Sequence, residues 1–175
     1  NTYQNKRKFI AKYFNKLDLD LISKVLEISN PSKDEFSAYF TDSPICIDIL
    51  NSLPRLKGKI KILEPSVGSG NFLFHIIKKF SHLNEVEIDV FDIDKRILNL
   101  LKFTISKLNI PNNIKINFYN KDFLTYNFKA NYDLIIGNPP FGKIENKELL
   151  DKYKKNKICK SNVNQFSLFL NKALS

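Results

Sequence analysis

Between Lys59 and Ile136, four short apolar runs alternate with helical stripes, and no other feature of the chain restricts its fold as much. The runs are Lys59 to Leu63, Glu85 to Phe91, Ile114 to Tyr119 and Tyr132 to Ile136. Their β-branched and aromatic residues, bounded by turn formers, predict strands. Asn71 to Leu83 carries Phe72, Leu73, Ile76, Ile77 and Phe80 along one helical face; Asp94 to Leu108 carries Ile97, Leu98, Leu101, Ile105 and Leu108. Strands alternating with helices predict right-handed βαβ units, hence an α/β fold with a mostly parallel sheet and flanking helices. Ligands of such sheets gather beyond the carboxyl ends of the strands. The residues that follow each run are therefore the candidates for a site.

The first run ends in Glu64-Pro65-Ser66-Val67-Gly68-Ser69-Gly70, a glycine turn that lets backbone amides approach a ligand. Its spacing is not GxGxxG and it lacks a P-loop lysine, which disfavours a phosphate ligand. Asp92 ends the second run, where an acid about 20 residues beyond a glycine turn commonly grips a ribose diol. Asp94 is placed to cap the next helix. Asn120-Lys121-Asp122-Phe123 follows the third run, and Gly137-Asn138-Pro139-Pro140-Phe141 follows the fourth. The two prolines stop that strand and stiffen the loop. A glycine turn can be purely structural, and a lone acid is commonly a cap or a solvated charge. Three acids at three successive strand ends, followed by NPPF, form a pattern that neither bland reading explains.

Asn138-Pro139-Pro140-Phe141 resembles the catalytic motif of amino-methyltransferases that use S-adenosylmethionine, above all DNA adenine-N6 methyltransferases of restriction-modification systems. EPSVGSG resembles motif I of class I methyltransferases, Tyr39-Phe40-Thr41 with Pro44 resembles motif X, and NQFSLFLNKAL at residues 164 to 174 resembles motif V. The order X, I, II, III, IV is that of the gamma-type enzymes, and the resemblance covers residues 36 to 175. It implies a Rossmann-like class I methyltransferase fold and S-adenosylmethionine as cofactor. Thr41 would meet the cofactor's carboxylate, and Glu64 in the Pro65, Gly68 and Gly70 turn would face its positive end. Asp92 would hold the ribose, Ile93 would lie on the adenine ring, and Asp122 would accept its amino group beside Phe123. Asn138 would border the cofactor and, with the Pro139 carbonyl, Pro140 and Phe141, position an extruded adenine for transfer.

Composition sets the remaining expectations. At 175 residues the chain is one domain by length, read as an N-terminal helical segment (1–30) and a catalytic portion (31–175). The N-terminal stripes are Phe9, Ile10, Tyr13, Phe14 and Leu17, then Leu21, Ile22, Val25 and Leu26, with Asp18 a cap between them and a break at Asn30-Pro31-Ser32. A helix follows within 35–50, with Pro44 near its first turn and Ile45, Ile49 and Leu50 on its apolar side. The net charge of +10, almost all lysine, suits a polyanion such as DNA. Lys143, Lys152, Lys154, Lys155 and Lys157 fall in a stretch read as a mobile lysine-rich loop, either suited to phosphate or simply solvated. No run approaches the ~18 residues of a membrane span, so a cytoplasmic protein is expected. Cys46 and Cys159 fit no metal or disulfide spacing and read as reduced structural residues; His75 and His82 receive no role. The resembled sheet has further strands and a second aromatic wall for the base, so the chain reads as an incomplete domain whose C-terminal half or specificity subunit another chain could supply. RNA adenine or guanine amino groups, a protein glutamine, and a non-catalytic binding module are the alternatives.

Overall fold

The computed structural model describes residues 2–14, 18–28, 41–128 and 131–174. Leu17, the break at Asn30 to Ser32, and Tyr39-Phe40 lie outside the described residues. Strands β1 (Lys59–Glu64), β2 (Glu85–Phe91), β3 (Ile114–Tyr119) and β4 (Leu134–Ile135) form one parallel sheet in the order β3-β2-β1-β4. The chain steps outward from β1 to β3, then returns to the other side of β1. The switch point of this sheet thus lies between β1 and β4, where an α/β fold offers its ligand crevice.

Register pairs Ile62 with Ile88 and Ile88 with Ile116, so even-numbered residues share one face. Helices α3 (Ser43–Ser52), α4 (Asn71–Phe80) and α5 (Lys95–Ile105) cover it, burying Ile62, Leu73, Ile76, Val86, Ile88 and Leu101. The predicted stripes of α4 and α5 are the buried ones, Leu108 packing only partly. On α3 the apolar side differs from expectation. Cys46 and Leu50 are buried against α4, whereas Ile45 and Ile49 point outward at 52% and 41% exposure.

The odd-numbered face changes character along its length. Midway along the strands, Asp89 accepts from Asn117 Nδ2 at 2.7 Å and Tyr132 OH at 2.8 Å, with Lys61 Nζ 3.4 Å away. Near the carboxyl ends it turns aromatic: Phe91 stacks on Tyr119 at 4.6 Å and packs with Phe123, Tyr126 and Phe128. Helices α6 (Lys147–Lys155) and α7 (Gln165–Leu174) cover this aromatic end with Tyr153 and Leu168. On α7, Phe169 packs inward on Phe123, while Phe166 and Leu170 are exposed.

β4 is shorter than the predicted run because Asp133 intervenes. Its N–H donates to Lys61 O at 2.8 Å, but its carboxylate, rather than a carbonyl, accepts from Lys61 N at 2.7 Å. Backbone pairing resumes through Ile136 N–H to Leu63 O at 3.0 Å.

Helices α1 (Thr2–Tyr13) and α2 (Leu19–Ile28) join Ile10, Ile22 and Leu26 to Ile97 and Leu100 of α5 in a third core. Asp18 caps α2 as predicted, accepting from Leu21 N at 2.7 Å; Leu21 itself is exposed. Among the described residues no helix is long and apolar enough to cross a membrane.

Candidate active site

After Glu64 the chain must reverse direction to enter α4, and glycine makes the turn possible. Gly70 caps α4 with φ of 91°, a left-handed conformation, and a Cβ there would collide with Leu101. Gly68, also left-handed, donates its N–H to Asp92 Oδ2 at 2.8 Å, and Asp94 N–H donates to Asp92 Oδ1 at 2.8 Å. Val67 N–H donates to Phe91 O at 2.8 Å, fastening the turn to the end of β2. Asp94 turns away to accept from Arg96 N at 2.9 Å, the predicted cap. That leaves Asp92 as the acid of this strand end on the cleft.

Burial dominates the electrostatics. It pushes the Asp92 carboxyl up to about 6, although two N–H donors favour the ionised form. Glu64, 1% exposed, is raised well above the usual carboxylate range by burial and then by the neighbouring Asp92 charge. Its Oε2 meets no hydrogen-bond donor among the described residues. A buried carboxylate oxygen in that state is stabilised by any donor or cation that enters. Cys46 is also buried, and its thiol is pushed up to about 12, so it supplies no thiolate; Cys159 is buried and free.

β4 delivers the proline loop to the same place. Ser66 Oγ, within the glycine turn, donates to the Asn138 backbone O at 3.1 Å. Gly137 permits this approach, because a Cβ there would lie 3.3 Å from Pro65 Cδ. On the far side, Ile144 and Asn162 exchange two hydrogen bonds of 2.9 and 3.0 Å, and Gln165 N–H donates to Gly142 O at 2.8 Å. The loop is therefore held at both ends.

These elements enclose an open cleft of about 1000 Å³, mouth included. Thr41, Glu64, Pro65, Gly68, Asp92, Ile93, Asp122, Phe123 and Asn138 line it, as does Pro140. Gly70 acts from behind as a cap, and Pro139 and Phe141 are not among the lining residues. Phe141, 42% exposed, stacks on Phe166 with centroids 5.7 Å apart and planes at 10°.

Asp122 is more engaged than its sequence context suggests. Its oxygens accept from Leu124 N at 3.1 Å, Thr125 Oγ1 at 3.0 Å, Tyr153 OH at 3.1 Å and Lys152 Nζ at 3.0 Å. The last two come from α6, a helix inside the stretch expected to be a mobile loop. Asn146 caps it by accepting from Leu149 N at 3.0 Å, and Tyr153 is buried. Lys152 thus pairs with Asp122, while Lys143, Lys154, Lys155 and Lys157 are exposed.

Sequence reasoning missed several lining residues, among them Glu27, Asn71, Tyr153 and Gln165. Asn71 bridges two predicted motifs: its Nδ2 donates to Thr41 O and its Oδ1 accepts from Ser43 Oγ at 3.2 Å. Its place directly after the glycine turn was the available signal.

A family model described as Eco57I restriction-modification methylase matches residues 19–175. The Type II methyltransferase M.AccI of Acinetobacter calcoaceticus is 30% identical over 152 residues, covering 84% of this chain and 27% of that protein. M.VspI of Vibrio sp. (strain 343), also a Type II methyltransferase, is 29% identical over 119 residues, 66% of this chain and 28% of the relative. A release factor glutamine methyltransferase of Dictyoglomus turgidum is 28% identical over 104 residues, 58% of this chain and 35% of the relative. A solved structure from Listeria monocytogenes, described as a class I S-adenosylmethionine-dependent methyltransferase, shares the fold with a TM-score of 0.60 at 15% identity, covering 98% of this chain and 59% of that one. The type IIG restriction endonuclease BpuSI does so with a TM-score of 0.58 at 17% identity, over 88% of this chain and 20% of that one.

Proposed function

The chain belongs to the Eco57I restriction-modification methylase family, and from that premise we propose that it transfers a methyl group from S-adenosylmethionine to the 6-amino group of adenine in DNA. The observation that carries this reading is the bond from Ser66 Oγ to the Asn138 carbonyl, which joins the glycine turn and the proline loop at the lip of one cleft. The donor set fits the cofactor. Four acids (Glu27, Glu64, Asp92 and Asp122) and one base, Lys121, line the cleft among the described residues, which suits a cationic ligand without phosphate. When bound, S-adenosylmethionine supplies a methyl group activated by its sulfonium.

Asp92 binds the ribose diol, Ile93 and Phe123 flank the adenine, and Asp122 accepts its amino group once Lys152 and Tyr153 yield. Pro65, Gly68 and Gly70 shape the turn, and Thr41 holds the carboxylate. An exocyclic amine is a poor nucleophile because its lone pair is delocalised into the ring. Asn138 Oδ1 and the Pro139 carbonyl accept its two hydrogens, orient the lone pair away from the ring plane, and stabilise the charge that develops on nitrogen. Pro139 and Pro140 keep these acceptors stiff. Phe141, extended by Phe166, offers an aromatic platform for a base taken out of the duplex. The exposed Lys143, Lys154, Lys155 and Lys157 serve the phosphates. The chain spans just over a quarter of the length of its two Type II relatives.

The match to a glutamine methyltransferase favours a second reading, since an amide nitrogen presents the same problem to an Asn-Pro pair. Labelled cofactor offered in parallel to duplex DNA, ribosomal RNA and release factor separates the two. We expect label in DNA as 6-methyladenine, lost by roughly 10²–10³-fold in Asn138→Ala. Label in release factor or RNA, with none in DNA, overturns the proposal.

A further inference from the structure

Along α2, Asp20, Ser23 and Glu27 recur at intervals of three and four residues and so share one face. Beside it, Ile22 and Leu26 are buried against α1 and α5. The polar face meets the glycine turn. Ser23 is fully buried, and its Oγ lies 2.7 Å from Ser69 Oγ, inside that turn. Asp20 Oδ1 lies 3.5 Å from His75 Nε2 on α4, too far for a directed hydrogen bond. Pinned there, α2 carries Glu27, one turn beyond Ser23 and 8% exposed, into the wall of the cleft.

We propose that Glu27 is a cofactor-binding residue whose carboxylate receives the α-ammonium group at the amino-acid end of S-adenosylmethionine. This rests on the cofactor reading above and adds α2 to the site. The topology orders the ligand. Acids leaving β3 and β2 take adenine and ribose, which leaves the amino-acid end to the turn after β1, where Ser69 holds α2. Thr41, assigned to the carboxylate, is tied to the first residue of α4 by Asn71. The ammonium is bonded to the carbon that bears that carboxylate, so it falls within the same end. It presents three donors, more than one carboxylate oxygen satisfies. The buried Glu64 Oε2, which has no donor among the described residues, takes one, and Glu27 takes another.

The test uses the full chain and two ligands, S-adenosylhomocysteine and 5′-methylthioadenosine, which lacks the amino-acid end. Calorimetry should show Glu27→Gln binding S-adenosylhomocysteine at least about 10-fold more weakly, the scale of a hydrogen bond to a charged group, with methylthioadenosine affinity unchanged. Asp92→Asn should weaken both ligands. Wild-type protein that binds neither would remove the cofactor reading itself. Wild-type affinity for S-adenosylhomocysteine in Glu27→Gln overturns this inference alone. So does equal weakening of both ligands, or failure of the variant to fold, because either makes Glu27 a structural group.

Discussion

Asp92 has two duties that oppose each other. Its carboxylate organises the turn through Gly68 and Asp94 N–H groups, yet burial in the ligand-free cleft holds its carboxyl at about 6. The folded-state value is raised, so the stability it contributes is complete below the ordinary carboxylate range and is lost as pH rises through about 6. Asp92→Asn removes this titration, together with the charge through which Asp92 helps to raise Glu64. The stability gap between wild type and Asp92→Asn should therefore move in favour of the wild type by up to about 2 kcal/mol from pH 7.5 to pH 4, allowing for partial exposure. Urea melts of ligand-free protein at both pH values measure it, and a constant gap would refute it. The strand-end acids could be read in advance because a strand that stops presents its next side chain to the crevice. Tyr153 could not, since its partner Asp122 lies 31 residues away and no local pattern encodes that contact.

At the scale of elements, α6 shows how composition can hide a helix. Its apolar residues Leu149, Leu150 and Tyr153 are separated by lysines and acids, so the stripe is thin and the stretch resembles a solvated loop. What fixes it is Asn146 at one end and an unusual cap at the other. Lys157 adopts φ of 58°, its N–H donates to Lys154 O at 3.0 Å, and Ile158 N–H donates to Tyr153 O at 2.9 Å. This is the left-handed C-terminal closure in which glycine is normally found, and a side chain there is strained. Lys157→Gly should accordingly stabilise the protein by roughly 0.5–1 kcal/mol, read as a rise in Tm of about 1–4 °C. A fall in Tm would show that the lysine side chain itself matters to the fold. The exposed isoleucines of α3 teach the complementary lesson. With Ile45, Cys46, Ile47, Ile49 and Leu50 apolar almost all round, periodicity had no polar face to exclude, and only docking on α4 selected Cys46 and Leu50.

The whole molecule is built around a cleft whose walls come from every layer. Glu27 belongs to α2, Ser69 to the turn after β1, Asp92, Asp122 and Asn138 to the ends of β2, β3 and β4, and Tyr153 and Phe169 to the two helices on the opposite face. The alternation of runs and stripes made the parallel sheet and its carboxyl-end crevice legible. It said nothing of closure by α2 and α6, which depends on tertiary packing. A ligand that touches all these walls must couple them. S-adenosylhomocysteine at 100 times its dissociation constant should stabilise the folded state by about 2.7 kcal/mol, provided it ignores the unfolded chain. Amide exchange should then slow not only at the glycine turn but also along α2 and α7, whose Glu27 and Phe169 line the cleft. Asp92→Asn should reduce both the stabilisation and the distant protection at that concentration. Protection confined to the strand ends, with α2 and α7 exchanging as fast as in free protein, would mean that the sheet alone forms the site and that the surrounding helices merely shelter it.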